Sequence, residues 1–357
     1  MRAAVCRAFG APLQVEEISL DAPAQGEVLV NIVACAICHS DITCMEGGWR
    51  GPLPAVFGHE AAGIVQDTGP GVIEFHRGDH VVVSLIRSCG CCHYCSQGRQ
   101  VLCEHSFPLD RQSPIRGQDG RPIHQGLRTG AFAEAVVVDQ SQIVAIPASM
   151  PLDSASLLAC GVITGVGAIF NTARVRPGES VVVIGAGGVG LNCIQGARIA
   201  GAHPIIAIDP VPGKREAALA FGATYAGQPE EAIVKVRRRT EGRMADHAVV
   251  SVGSSAAIDS AAALLGRGGT LTVVGMPAGN TPVSLDPDPL CGKELRVLGS
   301  KMGSTRLLTD VPRLVSLYQG GILKLDELVS ERYPLAEINE AIASAKTGEI
   351  LRNVVVF

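Results

Sequence analysis

A strand-like run that leads directly into a glycine-rich turn constrains the fold of this chain more than any other feature. Val181–Ile184 is followed by Gly185-Ala186-Gly187-Gly188-Val189-Gly190 and then by a helix-permissive segment, Leu191–Ala200. The next strand-like run ends at an acidic residue, Asp209, 24 positions after the first glycine of the turn. This combination of strand, glycine spacing, helix and downstream acid predicts a dinucleotide-binding βαβ unit.

Each residue of this pattern has a distinct physical role. Gly185 permits the sharp turn, Gly187 lets backbone N–H groups approach a pyrophosphate, and Gly190 allows the helix to pack closely on the strand. The N-terminus of the helix adds partial positive charge next to the phosphates. Asp209 is expected to accept hydrogen bonds from the adenosine ribose and to repel a 2′-phosphate, which favours NAD over NADP, and Lys214 is expected to help hold the ribose. The alternative is a glycine-rich turn in a Rossmann-like domain that binds another ligand.

The region around this turn reads as repeated strand-then-helix units, which imply a doubly wound parallel sheet covered by helices on both faces. We therefore predict an α/β Rossmann domain over residues 162–299. Its predicted strands are Val181–Ile184, Ile205–Asp209, Ala248–Val252, Thr270–Val274 and Leu295–Leu298, with a short strand near Thr224. Its predicted helices are Leu191–Ala200, Lys214–Phe221 and Ala256–Leu265.

The flanking segments, 1–161 and 300–357, have a different pattern and are predicted to form one discontinuous, mostly β domain. They contain short β-like runs broken by Gly, Pro and Asp, for example Val28–Val33, Gly63–Gln66, His80–Leu85, Ala135–Val138 and Asn353–Val356. Two domains are the natural expectation for 357 residues. Residues 106–130, which are dense in Pro and Gly, are predicted to be a long irregular surface loop.

Charge and hydropathy exclude several classes of partner. The formal net charge of -4 gives no electrostatic reason to expect nucleic acid or an anionic membrane as a partner. No uninterrupted apolar run reaches the roughly 18 residues of a transmembrane helix, and the N-terminus lacks the apolar core of a signal peptide. A cytoplasmic protein is the simplest expectation.

Cysteines are unusually frequent and crowd into one short segment. The chain has 12 of them, and Cys89, Cys92, Cys95 and Cys103 offer four thiolates to a single ion. Four protein thiolates leave no open coordination position, so the predicted site is a structural zinc. Adjacent cysteines point in different directions, so Cys91 is left out. An iron–sulfur cluster is the alternative, whereas Ser96 stands where a c-type haem motif requires histidine.

Three further residues become informative only together: Cys38 in Cys38-His39-Ser40-Asp41, His59 in Gly58-His59-Glu60, and Cys160 in Ala159-Cys160-Gly161. Taken singly, a lone cysteine or histidine is usually structural. Combined with the glycine turn and the four-cysteine segment, they resemble the zinc-containing alcohol dehydrogenases of the medium-chain dehydrogenase/reductase family. The resemblance runs through nearly the whole chain, as far as Arg352.

The resemblance implies a GroES-like catalytic domain that binds a catalytic zinc through Cys38, His59 and Cys160, with a fourth position open to water or alcohol. It also implies that Asp41 orients His59 and that Glu60 lies close to the zinc. Zinc lowers the pKa of a bound alcohol, and in this family a hydride then passes to the nicotinamide.

The remaining site residues also follow from the resemblance. Ser40 is expected to accept the alcohol proton. His39 and Arg352 are expected to contact the pyrophosphate, and Thr164 and Val189 to pack near the nicotinamide. In many relatives a histidine occupies the position of Thr43 and forms the outer end of the proton relay. Because this chain has threonine there, its relay is predicted to end at water or another base.

Cys35 and Cys44 also lie next to the first zinc ligand in sequence. Cys35-x-x-Cys38 could be a redox pair, but we interpret Cys35 and Cys44 as ordinary small residues near the zinc. A disulfide between Cys35 and Cys38 after zinc loss remains a side hypothesis.

An apolar substrate pocket is expected. By alignment with the family, Trp49 and Leu85 fall at pocket positions, and Leu127 and Val274 complete an apolar wall, the last next to the cofactor. Alternatively, Trp49 is simply exposed on a glycine-rich loop. Medium-sized or aromatic alcohols and their aldehydes are the expected substrates.

Three rival functions stay open: a thiol-dependent formaldehyde dehydrogenase, a polyol dehydrogenase, and a dinucleotide-binding protein without enzymatic activity. The family habit is a homodimer or homotetramer.

Overall fold

A computed structural model of the chain describes residues 1–277, 279 and 281–357. The strands are β1 (Arg2–Cys6), β2 (Gln14–Leu20), β3 (Glu27–Ala36), β4 (Ala55–Val56), β5 (Glu60–Thr68), β6 (His80–Val83), β7 (Ile115–Gly117), β8 (Pro122–Gln125), β9 (Ala135–Asp139), β10 (Ile143–Ala145), β11 (Val181–Ile184), β12 (Ile205–Ile208), β13 (Tyr225–Gly227), β14 (Ala245–Val250), β15 (Leu265–Val273), β16 (Arg296–Gly299), β17 (Val329–Pro334) and β18 (Arg352–Val356).

The α-helices alternate with these strands mainly in the middle of the chain. They are α1 (His39–Met45), α2 (His93–Ser96), α3 (Pro108–Arg111), α4 (Leu152–Ser156), α5 (Gly161–Gly167), α6 (Gly188–Ile199), α7 (Pro212–Ala220), α8 (Ala232–Arg239), α9 (Ser255–Ala261), α10 (Pro287–Gly292), α11 (Leu307–Gln319) and α12 (Ile338–Thr347). A π-helical stretch, Ala168–Ala173, continues α5.

The chain divides into two compact units. The first contains Met1–Cys160, Arg306–Gly321 and Leu325–Phe357, and the second contains Gly161–Thr305 and Ile322–Lys324. Both units are therefore discontinuous in sequence: the chain returns to the first unit at Arg306 and contributes Ile322–Lys324 to the second unit once more.

The first unit is built from a closed barrel, β1-β2-β7-β8-β4, and a seven-stranded sheet in the order β10-β6-β5-β3-β18-β17, with β9 paired to β3. Most sheet pairings are antiparallel, and the C-terminal strand β18 pairs antiparallel with β3. The inward-facing residues are small and branched, for example Val5, Val30, Ala61 and Val83, all fully buried. These short aliphatic side chains fill the interior of the unit, which explains how a core can form with few aromatics.

Residues 106–130 are not the irregular loop that their Pro and Gly content predicts. They contain α3, β7 and β8; β7 pairs with β2 and β8 with β4, so the segment closes the barrel. Gly120 lies in the turn between the two strands with φ +74°, and Pro122 occupies the first position of β8, where a proline is tolerated. The prediction was wrong because strands of three and four residues show too little alternation, although Ile115 and Ile123 are buried as in any strand.

The second unit is a six-stranded sheet in the order β13-β12-β11-β14-β15-β16, with every pairing parallel. The strand at its centre, β11, is fully buried along most of its length. Helices connect the successive strands, as a parallel sheet requires. This is the doubly wound Rossmann arrangement expected from the glycine turn.

Residues 300–305 belong to the second unit, whereas the sequence pattern predicted a return to the first domain at residue 300. The reason is close packing on α5. Gly303 approaches the backbone of this helix so closely that a Cβ would lie 2.2 Å from the Ile163 carbonyl oxygen. Thr305 also donates a hydrogen bond to that oxygen, at 3.2 Å.

Within the described residues, no single helix combines the length and the apolar character needed to cross a membrane. The consecutive helical segments Leu152–Ala159 and Gly161–Ala173 meet that test only jointly.

Candidate metal centres and dinucleotide site

Four side chains from distant parts of the first unit converge on one buried point. They are Cys38, at the N-terminus of α1, His59 and Glu60, at the start of β5, and Cys160, which follows a 3₁₀ turn. One ligand atom from each lies within 4.8 Å of the others, and all four residues are buried. The hydroxyl of Ser84 donates to the carbonyl of Ala159 at 2.7 Å, which fixes the backbone next to Cys160.

Asp41 is fully buried and connects the two halves of this centre. Its Oδ1 lies 2.9 Å from Nδ1 of His59 and accepts the Gly58 N–H at 2.9 Å, while its Oδ2 accepts the Cys38 N–H at 3.2 Å. The carboxylate therefore fixes the ring of His59 with Nε2 as the nitrogen left to face the centre. This is the common arrangement around a metal-ligating histidine.

The polar atoms that face the centre lack partners of their own. Nε2 of His59 and Oε1 of Glu60 are buried without a hydrogen bond from the described residues. Burial of such atoms is costly unless something satisfies them. A zinc ion fits here, because it accepts two sulfurs and one imidazole nitrogen as ligands.

The electrostatics of the centre also favour a cation. A hydrogen bond from the Cys160 thiol, together with the charge of His59, holds the pKa of Cys38 well below its usual value. Burial lowers the pKa of His59, but the charges of Asp41 and Cys38 raise it well above the usual value on balance. The negative charges of Asp41 and Cys38 therefore favour a positive charge at this point.

Glu60 and Arg352 form a buried ion pair beside the centre. Nη2 of Arg352 donates to Oε2 of Glu60 at 2.5 Å, and the side chains are 7% and 0% exposed. Burial raises the pKa of Glu60 to about 7, against the opposing effect of the Arg352 charge. Arg352 is expected from the sequence to contact a pyrophosphate. In the structure its guanidinium donates to Glu60 through Nη2, while its Nε has no hydrogen-bond partner among the described residues.

Three residues of the first helix are accessible to solvent, whereas Ile42, Cys44 and Met45 pack in the core. Ser40 is half-buried and His39 is exposed, both in the first turn of α1. Thr43 is half-buried, and its hydroxyl donates to the His39 carbonyl at 2.9 Å. The Thr43 proton is therefore committed to the helix backbone.

Cys35 and Cys44 do not behave as reactive thiols. Both are buried, and burial raises the pKa of Cys44 to about 12 and that of Cys35 well above its usual value. Thiols with raised pKa values are poor nucleophiles. This favours the interpretation of both as small packing residues.

A second cluster of four sulfurs lies in the segment that follows β6. Ligand atoms of Cys89, Cys92, Cys95 and Cys103 lie within 4.8 Å of one another. Backbone N–H groups point at two of these sulfurs, from Cys92 to Cys89 at 3.3 Å and from Cys89 to Cys103 at 3.4 Å. The N–H of Cys91, followed by that of Cys92, lowers the pKa of Cys89 to about 6. A tetrahedral, four-thiolate zinc fits this donor set.

Cys91 is exposed and stands outside this group. Its sulfur lies 3.8 Å from that of Cys89, and it is not one of the four mutually close ligands.

The glycine turn has the geometry expected of a phosphate-binding loop. Gly185 has φ +91°, and a Cβ at Gly190 would lie only 1.9 Å from the Gly185 carbonyl oxygen, so neither position can carry a side chain. A Cβ at Gly187, in contrast, would meet nothing within 4 Å. Open space at Gly187, immediately before α6, is where a pyrophosphate would approach the helix N-terminus.

Asp209 holds this turn from the end of β12. Its Oδ2 accepts the Ala186 N–H and its Oδ1 accepts the Val211 N–H, both at 2.8 Å. Each carboxylate oxygen keeps a second lone pair for a ligand. Lys214 lies half-exposed on the following helix, α7.

The other expected cofactor contacts also lie in the second unit. Thr164 is buried on α5 and donates to the sulfur of Met302 at 3.8 Å. Gly188 and Val189 begin α6, and Val274 is buried just after β15.

The candidate pocket residues of the first unit are all half-buried. Trp49 and Leu127 pack against the same hydrophobic core, and Leu85 follows β6. Leu127 has φ +49° and ψ +35°, a left-handed conformation that is unusual for leucine. Sequence reasoning missed the residue that supports it, Arg87. The only indication of a buried arginine in the sequence is its position directly after the apolar pair Leu85-Ile86.

Comparisons with known proteins agree with both units. Residues 24–148 match the family model of the alcohol dehydrogenase GroES-like domain, and residues 188–319 match that of the zinc-binding dehydrogenase. The expected fold class, a Rossmann sheet plus a GroES-like domain, is confirmed.

Named relatives span the full chain. It is 40% identical to an NDMA-dependent alcohol dehydrogenase from Amycolatopsis methanolica, over 99% of this chain and 98% of that protein. It is 35% identical to S-(hydroxymethyl)glutathione dehydrogenase from Saccharomyces cerevisiae, over 96% and 92%. The solved benzyl alcohol dehydrogenase from Acinetobacter calcoaceticus is 32% identical, with a TM-score of 0.93 over 100% of this chain and 99% of that one. The chain therefore belongs to the zinc-containing alcohol dehydrogenases of the medium-chain dehydrogenase/reductase family and is an alcohol dehydrogenase.

Proposed function

We propose that this enzyme oxidises apolar or aromatic alcohols to aldehydes or ketones with NAD, and catalyses the reverse reaction, at a zinc bound by Cys38, His59 and Cys160. One observation carries the proposal: two sulfurs and an imidazole converge while the Nε2 of the buried ring has no partner among the described residues. Three protein ligands leave the fourth position open for substrate, as in other catalytic zinc sites.

The neighbouring residues hold and support these ligands. A zinc ion held by these ligands would lower the pKa of a bound alcohol, so that the alcohol could lose its proton near neutral pH. Asp41 holds His59 in the tautomer that ligates metal. Arg352 pairs with Glu60 and offsets the negative charge of this carboxylate next to the centre. Ser40 follows the ligand Cys38 by two positions and is half-exposed; it accepts the alcohol proton and passes it outward.

The four-cysteine cluster binds a second, structural zinc. It offers four sulfurs, so no coordination position is left for substrate. Its segment consists largely of polar residues and contains Gly90 and Gly98, so metal binding supplies the stability that burial cannot.

NAD is the preferred cofactor because of Asp209. The carboxylate is 4% exposed and lies beside the glycine turn. Its negative charge opposes a 2′-phosphate, whereas its remaining lone pairs can accept ribose hydroxyls. The glycine turn binds the pyrophosphate, and Thr164, Val189 and Val274, of the same unit, pack beside the nicotinamide.

Apolar substrates are favoured by the three half-buried side chains, Trp49, Leu85 and Leu127. A second candidate is oxidation of a thiol–formaldehyde adduct, which the name of the yeast relative specifies. A bulky indole at Trp49 argues against a site for a charged thiol cofactor.

The enzyme works as a homodimer or homotetramer in the cytoplasm. None of its 12 cysteines is disulfide-bonded, which is typical of a reducing compartment.

Initial rates on a substrate panel test this function. The panel contains ethanol, benzyl alcohol, sorbitol, and formaldehyde with and without glutathione, each with NAD and with NADP, and with NDMA as an added arm. We expect the highest kcat/KM for benzyl alcohol with NAD. A rate seen only with glutathione and formaldehyde would favour the second candidate, and a rate on sorbitol alone would favour a polyol dehydrogenase.

A further inference from the structure

Arg87 is the largest fully buried side chain of the first unit, and the contacts described for its guanidinium involve neither a candidate zinc ligand nor a candidate cofactor-binding residue. Its side chain is 0% exposed, and it follows the half-buried pocket residue Leu85 by two positions. Burial lowers the pKa of its guanidinium, a cost that the charge of Asp110 partly offsets. A buried arginine persists only where several groups satisfy it.

The guanidinium is satisfied on all sides by residues of three separate segments. Nε donates to Gln142 at 2.7 Å and Nη1 to Asp110 at 3.1 Å. Nη2 donates to the Arg128 carbonyl at 3.1 Å, and the guanidinium stacks over Phe107, with Cζ 5.7 Å from the ring centre. The Arg87 guanidinium therefore links the segment after β6 to α3 and to the turn after β8.

The turn that receives this contact is strained. Leu127 and Arg128 are consecutive non-glycine residues with positive φ, 49° and 62°. Such conformations persist when surrounding contacts enforce them. The Arg128 carbonyl is held twice, by Arg87 and by Nε2 of Gln142 at 3.0 Å. Gln142 also donates to the Ser84 carbonyl at 2.9 Å, which anchors the turn to the end of β6.

The strained turn determines the direction of the Leu127 side chain. A relaxed backbone at residues 127 and 128 would point the leucine elsewhere, whereas the held turn packs it against the core cluster that also contacts Trp49. We propose that Arg87 is a positioning residue for substrate specificity, which acts by holding the Arg128 carbonyl and so fixing Leu127 as the wall of an apolar pocket. Arg87 touches neither zinc nor substrate in this role.

The inference rests on the proposed function, since it assumes that Leu127 contacts the organic group of the alcohol. Its effect should therefore depend on substrate size. A benzyl group reaches the wall and loses binding when the leucine is displaced, whereas ethanol is too small to contact it. An apolar contact of this size contributes about tenfold or more in kcat/KM.

Arg87→Met tests the proposal, because methionine keeps an unbranched apolar chain but cannot donate. We expect KM for benzyl alcohol to rise about tenfold, with kcat and the ethanol parameters changing less than about threefold. Arg116→Met is the matched control. It removes an arginine from the barrel that pairs with Asp21 at the surface, and it should leave both substrates unchanged.

A double-mutant cycle with Leu127→Gly tests the route of action. Glycine adopts positive φ without strain and removes the wall, so the Arg87→Met effect on benzyl alcohol should disappear in that background. An equal loss for ethanol and benzyl alcohol, or an effect that persists in Leu127→Gly, overturns the proposal in favour of a merely structural role. Zinc content and melting temperature are measured for every variant.

If Arg87→Met does not fold, Asp110→Asn weakens the same network with little change in shape. It should raise KM for benzyl alcohol in the same selective manner, and an unselective loss would contradict the proposal. Failure of the proposed function itself would look different, because wild-type enzyme would then not prefer benzyl alcohol to ethanol.

Discussion

Oδ1 of Asp41 lies 2.9 Å from Nδ1 of His59, and neither side chain is exposed at all. The same oxygen accepts the Gly58 N–H, and the other oxygen accepts that of Cys38. One carboxylate thus aligns two candidate zinc ligands whose positions are 21 residues apart in sequence. The geometry of the centre should therefore depend on Asp41 even though it is not a ligand.

Asp41→Asn keeps the size of the side chain but removes its charge. We expect zinc affinity at this centre to fall about 10–100-fold, because the neutral amide holds the imidazole tautomer less strongly. Competition with a chromogenic chelator measures the affinity. Asp79→Asn is the control, because Asp79 faces His76 at the surface rather than at a metal site. Equal zinc retention in Asp41→Asn and wild type would refute the role.

Thr43 tests the outer end of the proton relay. Its hydroxyl is committed to the His39 carbonyl, so we expect protons to leave through water or another base. Thr43→His should add an ionisation near the usual histidine pKa of about 6.5 to the pH profile of kcat. If the profile stays unchanged, position 43 is not part of the relay.

Asp209→Asn tests cofactor choice. Loss of the charge beside a 2′-phosphate is worth about 1–4 kcal/mol, so the ratio of kcat/KM for NADP to that for NAD should rise at least about fivefold. Asp246→Asn is the control, since Asp246 binds Ser180 in the same unit. An unchanged ratio in Asp209→Asn would remove the basis for the NAD preference.

We expect the free energy of unfolding to depend on pH through the ionisation of Tyr318. Burial, together with the hydrogen bond to Asp326, raises the pKa of its phenol from 10 to about 12. A raised pKa means that the protonated phenol stabilises the fold below pH 10, and that this contribution is lost as pH rises from 10 towards 12.

Melting temperatures of wild type and Tyr318→Phe measure the effect. The variant should melt lower at pH 8, and the gap should narrow above pH 10. A gap that stays constant across this range would mean that the phenol does not titrate as described.

The sequence predicts the parts of this fold whose determinants are local. Val181–Ile184 forms β11 with the predicted bounds, because a buried parallel strand is a continuous aliphatic run. The four cysteines of the second cluster are close in sequence, so their proximity could be expected before the structure was known.

Other features depend on contacts that no local pattern reveals. Cys38 and Cys160 are 122 positions apart, and only resemblance to a family linked them. Residues 106–130 become strands only through pairing with β2 and β4. Arg87 looks like an ordinary charged residue until Gln142 and Asp110 are seen around its guanidinium.

Metal content per chain tests the central claim most directly. Elemental analysis of dialysed protein should give about two zinc ions in wild type and about one in both Cys38→Ser and Cys103→Ser. Alcohol oxidation should be abolished in Cys38→Ser, while Cys103→Ser should chiefly lose thermal stability. Wild-type protein with one zinc or none, or a Cys38→Ser variant that keeps both its zinc and its activity, would contradict the account.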